Sequence, residues 1–483
     1  MHSPHGTPGP RAAPFPGPEL RPEDLGSAGF RADHSVAYAY ATGSMYKAIA
    51  SVDLVVRMGR AGLLGYFGAG GLSDDELAAS IRRIRAELGG HGPFGVNLLS
   101  SRPEREERGV DVCLAHGVRR IEAASFVRIS PALVRFRLTG AHRDGGGAVR
   151  TPNLIMAKVS RQEAAEAFLS PPPPAIVRDL AAAGRITPQE AELAGAVAMC
   201  DDLCAEADSG GHTDQRPMTA LLPAMLSLRE RMAFTGPAGR VRIGAAGGIG
   251  TPEAAAAAFV MGADFVLTGS VNQCTVEAGT SDAAKDLLQR AQVQDTILVP
   301  AGDMFEMGTK AQVLRRGLFF PARANKLYEL WLRHDSLDEL DQDTADHVQR
   351  RILGRSFDEV WQEIKSRYVD SRPAVIERAE QDPKRRMALT FTWYFAKATR
   401  VAMEGDAGSR VDFQIPCGPA LGALNERLRG TPQEDWRHRH PDDIARLIMT
   451  GAAELLSRAA HLPTPSTTVA AGGGGGGARQ KEK

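Results

Sequence analysis

Between residues 34 and 290, short apolar runs alternate with longer segments whose apolar residues recur every three or four positions. The runs fall at 36–41, 63–68, 94–99, 120–125, 153–159, 203–207, 241–245 and 264–268, and each reads as a β-strand. The segments at 73–88, 161–169, 188–199, 218–232 and 252–261 read as helices, with Ser73 and Thr251 placed as N-caps. Strands alternating with helices imply an α/β protein whose sheet is parallel and whose crossovers are right-handed. Eight such repeats over this length suit a (β/α)8 TIM barrel better than an open doubly wound sheet. The run Pro171–Pro174 after the fifth strand reads as a loop insertion over one edge.

Beyond residue 291 the pattern changes. Segments 351–368, 373–379, 384–403, 419–429 and 441–460 have helical spacing and few strand signals, which predicts a C-terminal helical domain. The stretch 296–323 is the expected joint. Both ends are poor in apolar residues: the first is Pro/Gly-rich and the last carries Gly472–Gly477. The expected division is a disordered tail over 1–30, a barrel over 31–290, a helical domain over 291–462 and a Gly-rich tail over 463–483.

Composition narrows the function classes. Of 483 residues, 43% are hydrophobic and 24% charged, as in ordinary globular chains. Lys plus Arg and Asp plus Glu both total 58, so the overall basic bias of many nucleic-acid binders is absent. Five widely spaced cysteines offer no disulfide framework, which points to a reducing, cytoplasmic setting. Cys200 and Cys204 could share a helix face, but no second Cys/His pair follows at zinc spacing, so no metal site is expected. The apolar run 254–263 is far shorter than the roughly 20 residues of a membrane span. Seven prolines within the first 22 residues, with no apolar stretch after them, do not read as a signal peptide.

The 51 glycines are more than padding. In Val241-Arg-Ile-Gly-Ala-Ala-Gly-Gly-Ile-Gly-Thr-Pro-Glu a strand runs into Gly247 and Gly248 and then a helix start, where backbone N–H groups can approach an anion. Phe265-Val-Leu-Thr-Gly-Ser repeats the arrangement at Gly269 and Ser270. Turns after barrel strands seven and eight commonly hold a ligand phosphate. Neither a Rossmann fingerprint nor a Walker sequence is present. In Glu206-Ala-Asp-Ser-Gly-Gly-His-Thr-Asp-Gln-Arg-Pro, His212 follows strand six, where a side chain reaches the barrel mouth and can donate or abstract a proton near neutral pH. Glu206, Asp208 and Asp214 are candidates to orient its ring. Gly43, Ser44 and Met45 follow strand one, while Asn97 and Lys158 interrupt apolar strands; a buried Lys158 needs an anionic partner.

These motifs resemble the FMN-dependent nitronate monooxygenase superfamily. More closely, they resemble the PfaD-type enoyl reductases of polyunsaturated-fatty-acid and trans-acyltransferase polyketide synthases. The subfamily resemblance rests on the His212 motif, Gly302-Asp-Met-Phe-Glu-Met-Gly-Thr-Lys, Phe320-Pro-Ala-Arg-Ala-Asn-Lys-Leu-Tyr-Glu-Leu and Asp412-Phe-Gln-Ile-Pro-Cys-Gly-Pro-Ala-Leu-Gly-Ala. It covers about residues 25–460. Gln215 stands where relatives are expected to carry Asn. The resemblance implies FMN in the barrel mouth, with Gly43, Ser44 and Met45 along the ring and Asn97 and Lys158 near its polar edge. Gly211, Gly247, Gly248, Gly269 and Ser270 complete the implied cofactor set, the last four at the phosphate, and His212 is the implied catalytic residue.

The activity so implied is reduction of an enoyl thioester on an acyl carrier protein, with NADPH or NADH as reductant. The cluster Lys310, Arg315, Arg316, Arg323 and Lys326 is the candidate docking face for an acidic carrier. Nitronate oxidation with O₂ is the alternative, with His212 as base, and a non-catalytic barrel subunit is a third reading. Neither nucleic acid nor membrane is expected as a partner.

Overall fold

All eight apolar runs form strands. In the computed structural model, which describes residues 19–90, 92–232, 240–369 and 372–460, they are Tyr40–Thr42, Leu64–Phe67, Phe94–Leu99, Arg120–Ala124, Leu154–Val159, Asp202–Glu206, Arg242–Ala246 and Val266–Thr268. They pair in parallel in chain order, and the eighth returns to the first through Tyr40↔Val266 and Thr42↔Thr268, closing a barrel. Helices cover the outside. Their starts follow the expected chemistry: Ser73 Oγ accepts the Glu76 N–H while Glu76 reaches back to Ser73, and Thr251 accepts from Ala254. Caps of this kind contribute about 1 kcal/mol each.

The barrel interior is a packed plug. Tyr66, Met156, Cys204, Phe265 and Leu267 fill its lower layers together with Phe30, which stacks on Phe265 at 4.6 Å between ring centroids. Gly244 makes room for this: a Cβ there would lie 2.4 Å from the Phe265 ring. Phe30 belongs to helix Ala28–His34, and Leu25 is buried just before it. The sequence-based tail over 1–30 is therefore corrected for residues 19–30. Proline content masked a short amphipathic helix that closes the lower end of the barrel. Its His34 accepts from Arg120 at Nδ1 and meets Asp202 through Nε2 at 2.7 Å. Burial would raise the Asp202 carboxyl, but Arg242 and His34 hold it down at about 2. Residues 1–18 and the expected tail over 463–483 lie outside the described residues.

Three further departures concern loops and the C-terminal half. Pro174 opens helix Pro174–Ala182, so the proline run starts a helix instead of extending a loop. An unpredicted hairpin pairs His142–Arg143 with Val149–Arg150. Strands Thr296–Pro300 and Lys310–Leu314 run antiparallel, and the second takes on Gly211–His212 through Ala311↔His212. This small sheet caps the mouth. Helices Phe320–Arg333, Phe357–Tyr368, Pro373–Gln381 and Pro383–Glu404 then build a separate core around Trp361, Phe391 and Tyr394. Helices Pro419–Leu428 and Pro441–Ala460 return to the barrel, where Leu424, Leu428, Ile444, Ile448 and Met449 join the layer outside the strands. Among the described residues no helix is long and apolar enough to cross a membrane.

Candidate active site at the barrel mouth

Directly above the plug lies a charged layer. Lys158 Nζ sits 3.0 Å from Glu206 Oε1 and 3.3 Å from Glu122 Oε1, with Glu122 fully buried. Burial would lower the lysine's pKa, but the two carboxylates outweigh it and keep Lys158 a cation. Burial pushes the Glu122 carboxyl up, against the opposing pull of Lys158 and Ser44. Glu122 also ties the layer together. Its Oε2 accepts the Ser44 N–H at 2.8 Å, and Asn97 Nδ2 donates to its backbone carbonyl at 3.3 Å. Residues from strands three to six and from the loop after strand one thus share one network. The anionic partner that Lys158 requires is present twice. Glu122 itself carried a readable signal, a carboxylate between the apolar Ile121 and Ala123 within a barrel strand.

On the opposite side the ends of strands six, seven and eight crowd together. Gly247 has φ +81°, and a Cβ there would lie 2.5 Å from the Ala207 carbonyl carbon, so only glycine lets the two turns meet. Open space lies where Gly248 and Gly269 would carry a Cβ, and both N–H groups lie outside the strand and helix ladders. Gly269 precedes helix Ser270–Gln273, and Ser270 Oγ accepts the Gly418 N–H at 2.9 Å. That bond pins the segment around Cys417 and Gly418 against the turns. The residues present fit a phosphate-bearing cofactor: a floor free of side chains, backbone donors, and the fixed polar layer beside it.

His212 hangs above from the cap sheet. Its Nε2 lies 3.0 Å from Asp303 Oδ1, on the turn that follows strand Thr296–Pro300. The hydrogen bond to Asp303 raises the imidazole's pKa against partial burial, with the Asp303 and Glu206 charges adding to it. The same bond pulls the Asp303 carboxyl down against its own burial. None of the three orienting candidates holds the ring. Glu206 serves Lys158, Asp208 accepts from Gln312, and Asp214 accepts from Ser160 and Arg161. The true partner is 91 residues away in sequence, and only tertiary pairing of the cap sheet reveals it.

Of the remaining sequence candidates, Gly43 bonds to the Thr268 carbonyl, and the Met45 carbonyl packs on Gly68, which places the loop after strand one across the mouth. Gly211 pairs with Gln312 in the cap sheet. Gln215 has φ +56°, a conformation in which Asn is several-fold enriched, which gives the expected Asn of relatives a physical reason. Cys200 and Cys204 do not share a helix face, because Cys204 lies in strand Asp202–Glu206 inside the barrel and Cys200 packs outside it. The basic cluster is only partly free: Arg316 pairs with Asp295, and Arg323 with buried Asp412. A cavity of about 410 Å³ opens beside the ends of strands three and four, lined by Ser100, Phe126, Val127 and Ser130.

Comparison with known proteins agrees with this architecture. The enoyl reductase domain of MlnA from the macrolactin biosynthesis cluster of Bacillus amyloliquefaciens superposes with a TM-score of 0.86 at 40% identity, covering 91% of this chain and 99% of that domain. The polyketide biosynthesis protein PksE of Bacillus subtilis is 50% identical over 438 residues, which is 90% of this chain and 57% of PksE. The polyketide biosynthesis protein ThaF of Burkholderia thailandensis is 49% identical over 442 residues, 91% of this chain and 38% of ThaF. A polyunsaturated fatty acid synthase component from Thraustochytrium sp. is 45% identical over 84% of this chain and 28% of its own length. The chain thus spans between about a quarter and somewhat over half the length of these three curated relatives. FabK from Thermotoga maritima shares the fold, with a TM-score of 0.53 at 18% identity over 89% of this chain and 97% of FabK. Residues 334–413 match the family model of the inserted helical domain of acyl-carrier-protein S-malonyltransferase.

A closed parallel eight-stranded barrel, matched at 40% identity over 99% of an enoyl reductase domain, defines a TIM-barrel protein of the enoyl reductase class. Within it, the chain belongs to the PfaD-type enoyl reductase family of polyketide and polyunsaturated-fatty-acid synthases.

Proposed function

We propose that this protein is an FMN-dependent enoyl reductase that saturates 2-enoyl thioesters borne by an acyl carrier protein, with NADPH or NADH as reductant. The observation that carries the reading is the His212–Asp303 pair on the sheet that follows the barrel strands, together with the side-chain-free turns at Gly248 and Gly269. A bound flavin would take hydride from the nicotinamide and deliver it to the β-carbon of the enoyl group.

The chain's own residues supply binding and protons. Gly247, Gly248, Gly269 and Ser270 would hold the phosphate through backbone N–H groups, with Gly211 alongside. Gly43, Ser44 and Met45 would lie along the ring. Lys158, kept cationic by Glu122 and Glu206, and Asn97 would face its polar edge. His212, held as a cation toward higher pH by Asp303, would protonate the substrate's α-carbon; such acid catalysis is worth about 10²–10⁴-fold. The relationship to an enoyl reductase domain of a polyketide cluster supports reduction over nitronate oxidation.

The test is His212→Ala. The variant should retain its visible flavin spectrum while reduction of crotonyl-carrier protein falls at least about 100-fold. Unchanged turnover would remove the assigned role.

A further inference from the structure

Resting on that reading, we infer that the carrier protein docks on a face formed by Phe319, Val411, Arg315, Lys326 and Arg410, one strand's length from His212. Phe319 is 58% exposed and Val411 39%, although both are large and apolar. They are held together, because the Phe319 N–H donates to the Val411 carbonyl at 2.7 Å. Phe319 is the N-cap of helix Phe320–Arg333, and Lys326 follows seven residues later, two turns along the same face. Arg410 adjoins Val411. Arg315 lies in the turn that leads to Phe319, its carbonyl accepting from Leu318.

Charge singles out these cations. Arg316 is engaged by Asp295, Arg323 by Asp412, and Arg333 by Glu329. Among the described residues the side chains of Arg315, Lys326 and Arg410 have no hydrogen bond, ion pair or ring contact. Three uncompensated cations around two exposed apolar side chains, in a chain of zero formal net charge, complement an acidic helix with an apolar stripe. That is the chemistry of a carrier protein's recognition surface.

The path to the mouth is also present. Strand Lys310–Leu314 starts beside the site, where Ala311 pairs with His212, and ends next to Arg315. Four residues of strand span about 13 Å, a distance that an extended thioester arm can bridge. The docking face is thus a corrected version of the basic cluster read from sequence. Arg316 leaves it, Arg323 stays as a neutralised cation paired with Asp412 and lying 5.5 Å over the Phe319 ring, and Phe319, Arg410 and Val411 enter.

The experiment compares the full-length wild type with R315E/K326E/R410E and, separately, with Phe319→Ser. Each is assayed on crotonyl-carrier protein and on the small thioester crotonyl-N-acetylcysteamine. The charge-reversal variant should raise KM for the carrier substrate at least about tenfold and remove its dependence on ionic strength. Phe319→Ser should raise it severalfold. Both should turn over the small thioester as the wild type does. An unchanged carrier KM would overturn the docking face. Absence of turnover on both substrates in the wild type would instead overturn the enoyl reductase reading. If Phe319→Ser converts a dimer to a monomer in sedimentation while carrier KM stays constant, the face binds a second copy and the inference fails.

Discussion

His212 Nε2 and Asp303 Oδ1 lie 3.0 Å apart, joining the loop after the sixth barrel strand to a cap that begins 84 residues after His212. The pair fixes which ring nitrogen is engaged. It also sets the pH at which the ring loses its proton, because Asp303 raises the pKa of His212.

That relation predicts a pH profile. The protonated ring persists to higher pH while Asp303 is charged, and it is lost as pH rises through the raised value. In Asp303→Asn the anion is gone but the shape is kept, so the alkaline fall in kcat should move to lower pH, toward the ordinary histidine value near 6.5. KM for the enoyl substrate should stay within about twofold. An unmoved alkaline limb would detach His212 from the proton transfer.

The charged layer predicts a double-mutant cycle. Lys158→Met leaves Glu122 buried without its cation and should cost about 3–5 kcal/mol in urea denaturation. Adding Glu122→Gln removes the stranded charge, so the double variant should regain part of that loss. Strict additivity of the two changes would contradict the network.

Gly247→Ala tests the cradle. The new methyl would meet the Ala207 carbonyl carbon at 2.5 Å at a position with φ +81°, and backbone cannot give way as a flexible side chain can. The variant should lose at least about 1 kcal/mol of stability and should purify with less bound flavin. Both are read from thermal melts and the visible spectrum.

Phe30→Ala tests the lower plug. A fully buried ring stacked on Phe265 is removed, and the expected loss is about 3–5 kcal/mol. A disordered segment would show no loss at all.

How far the sequence reached depended on the range of the signal. The eight strands, the N-caps at Ser73 and Thr251 and the glycine turns are local patterns, and each appears where periodicity and capping chemistry put it. Phe30 was hidden because proline and glycine around it outweighed a seven-residue helix that gains stability only from tertiary burial. Asp303 had no local mark, since its role arises when the Lys310–Leu314 strand pairs with Gly211–His212. Strand Thr296–Pro300 did carry a mark, the run Thr296-Ile-Leu-Val with three β-branched residues in four, but helical patterns beyond it were stronger. The free and engaged members of the basic cluster could be separated only once Asp295 and Asp412 were seen beside Arg316 and Arg323.

The central claim is reduction of an enoyl thioester through bound FMN. The direct measurement is an anaerobic absorbance titration of the purified protein. NADPH should bleach the flavin bands near equivalence, and crotonyl-carrier protein should restore them with formation of the saturated thioester. A flavin that NADPH leaves oxidised, or one that recolours only with O₂ and an alkyl nitronate, would contradict it.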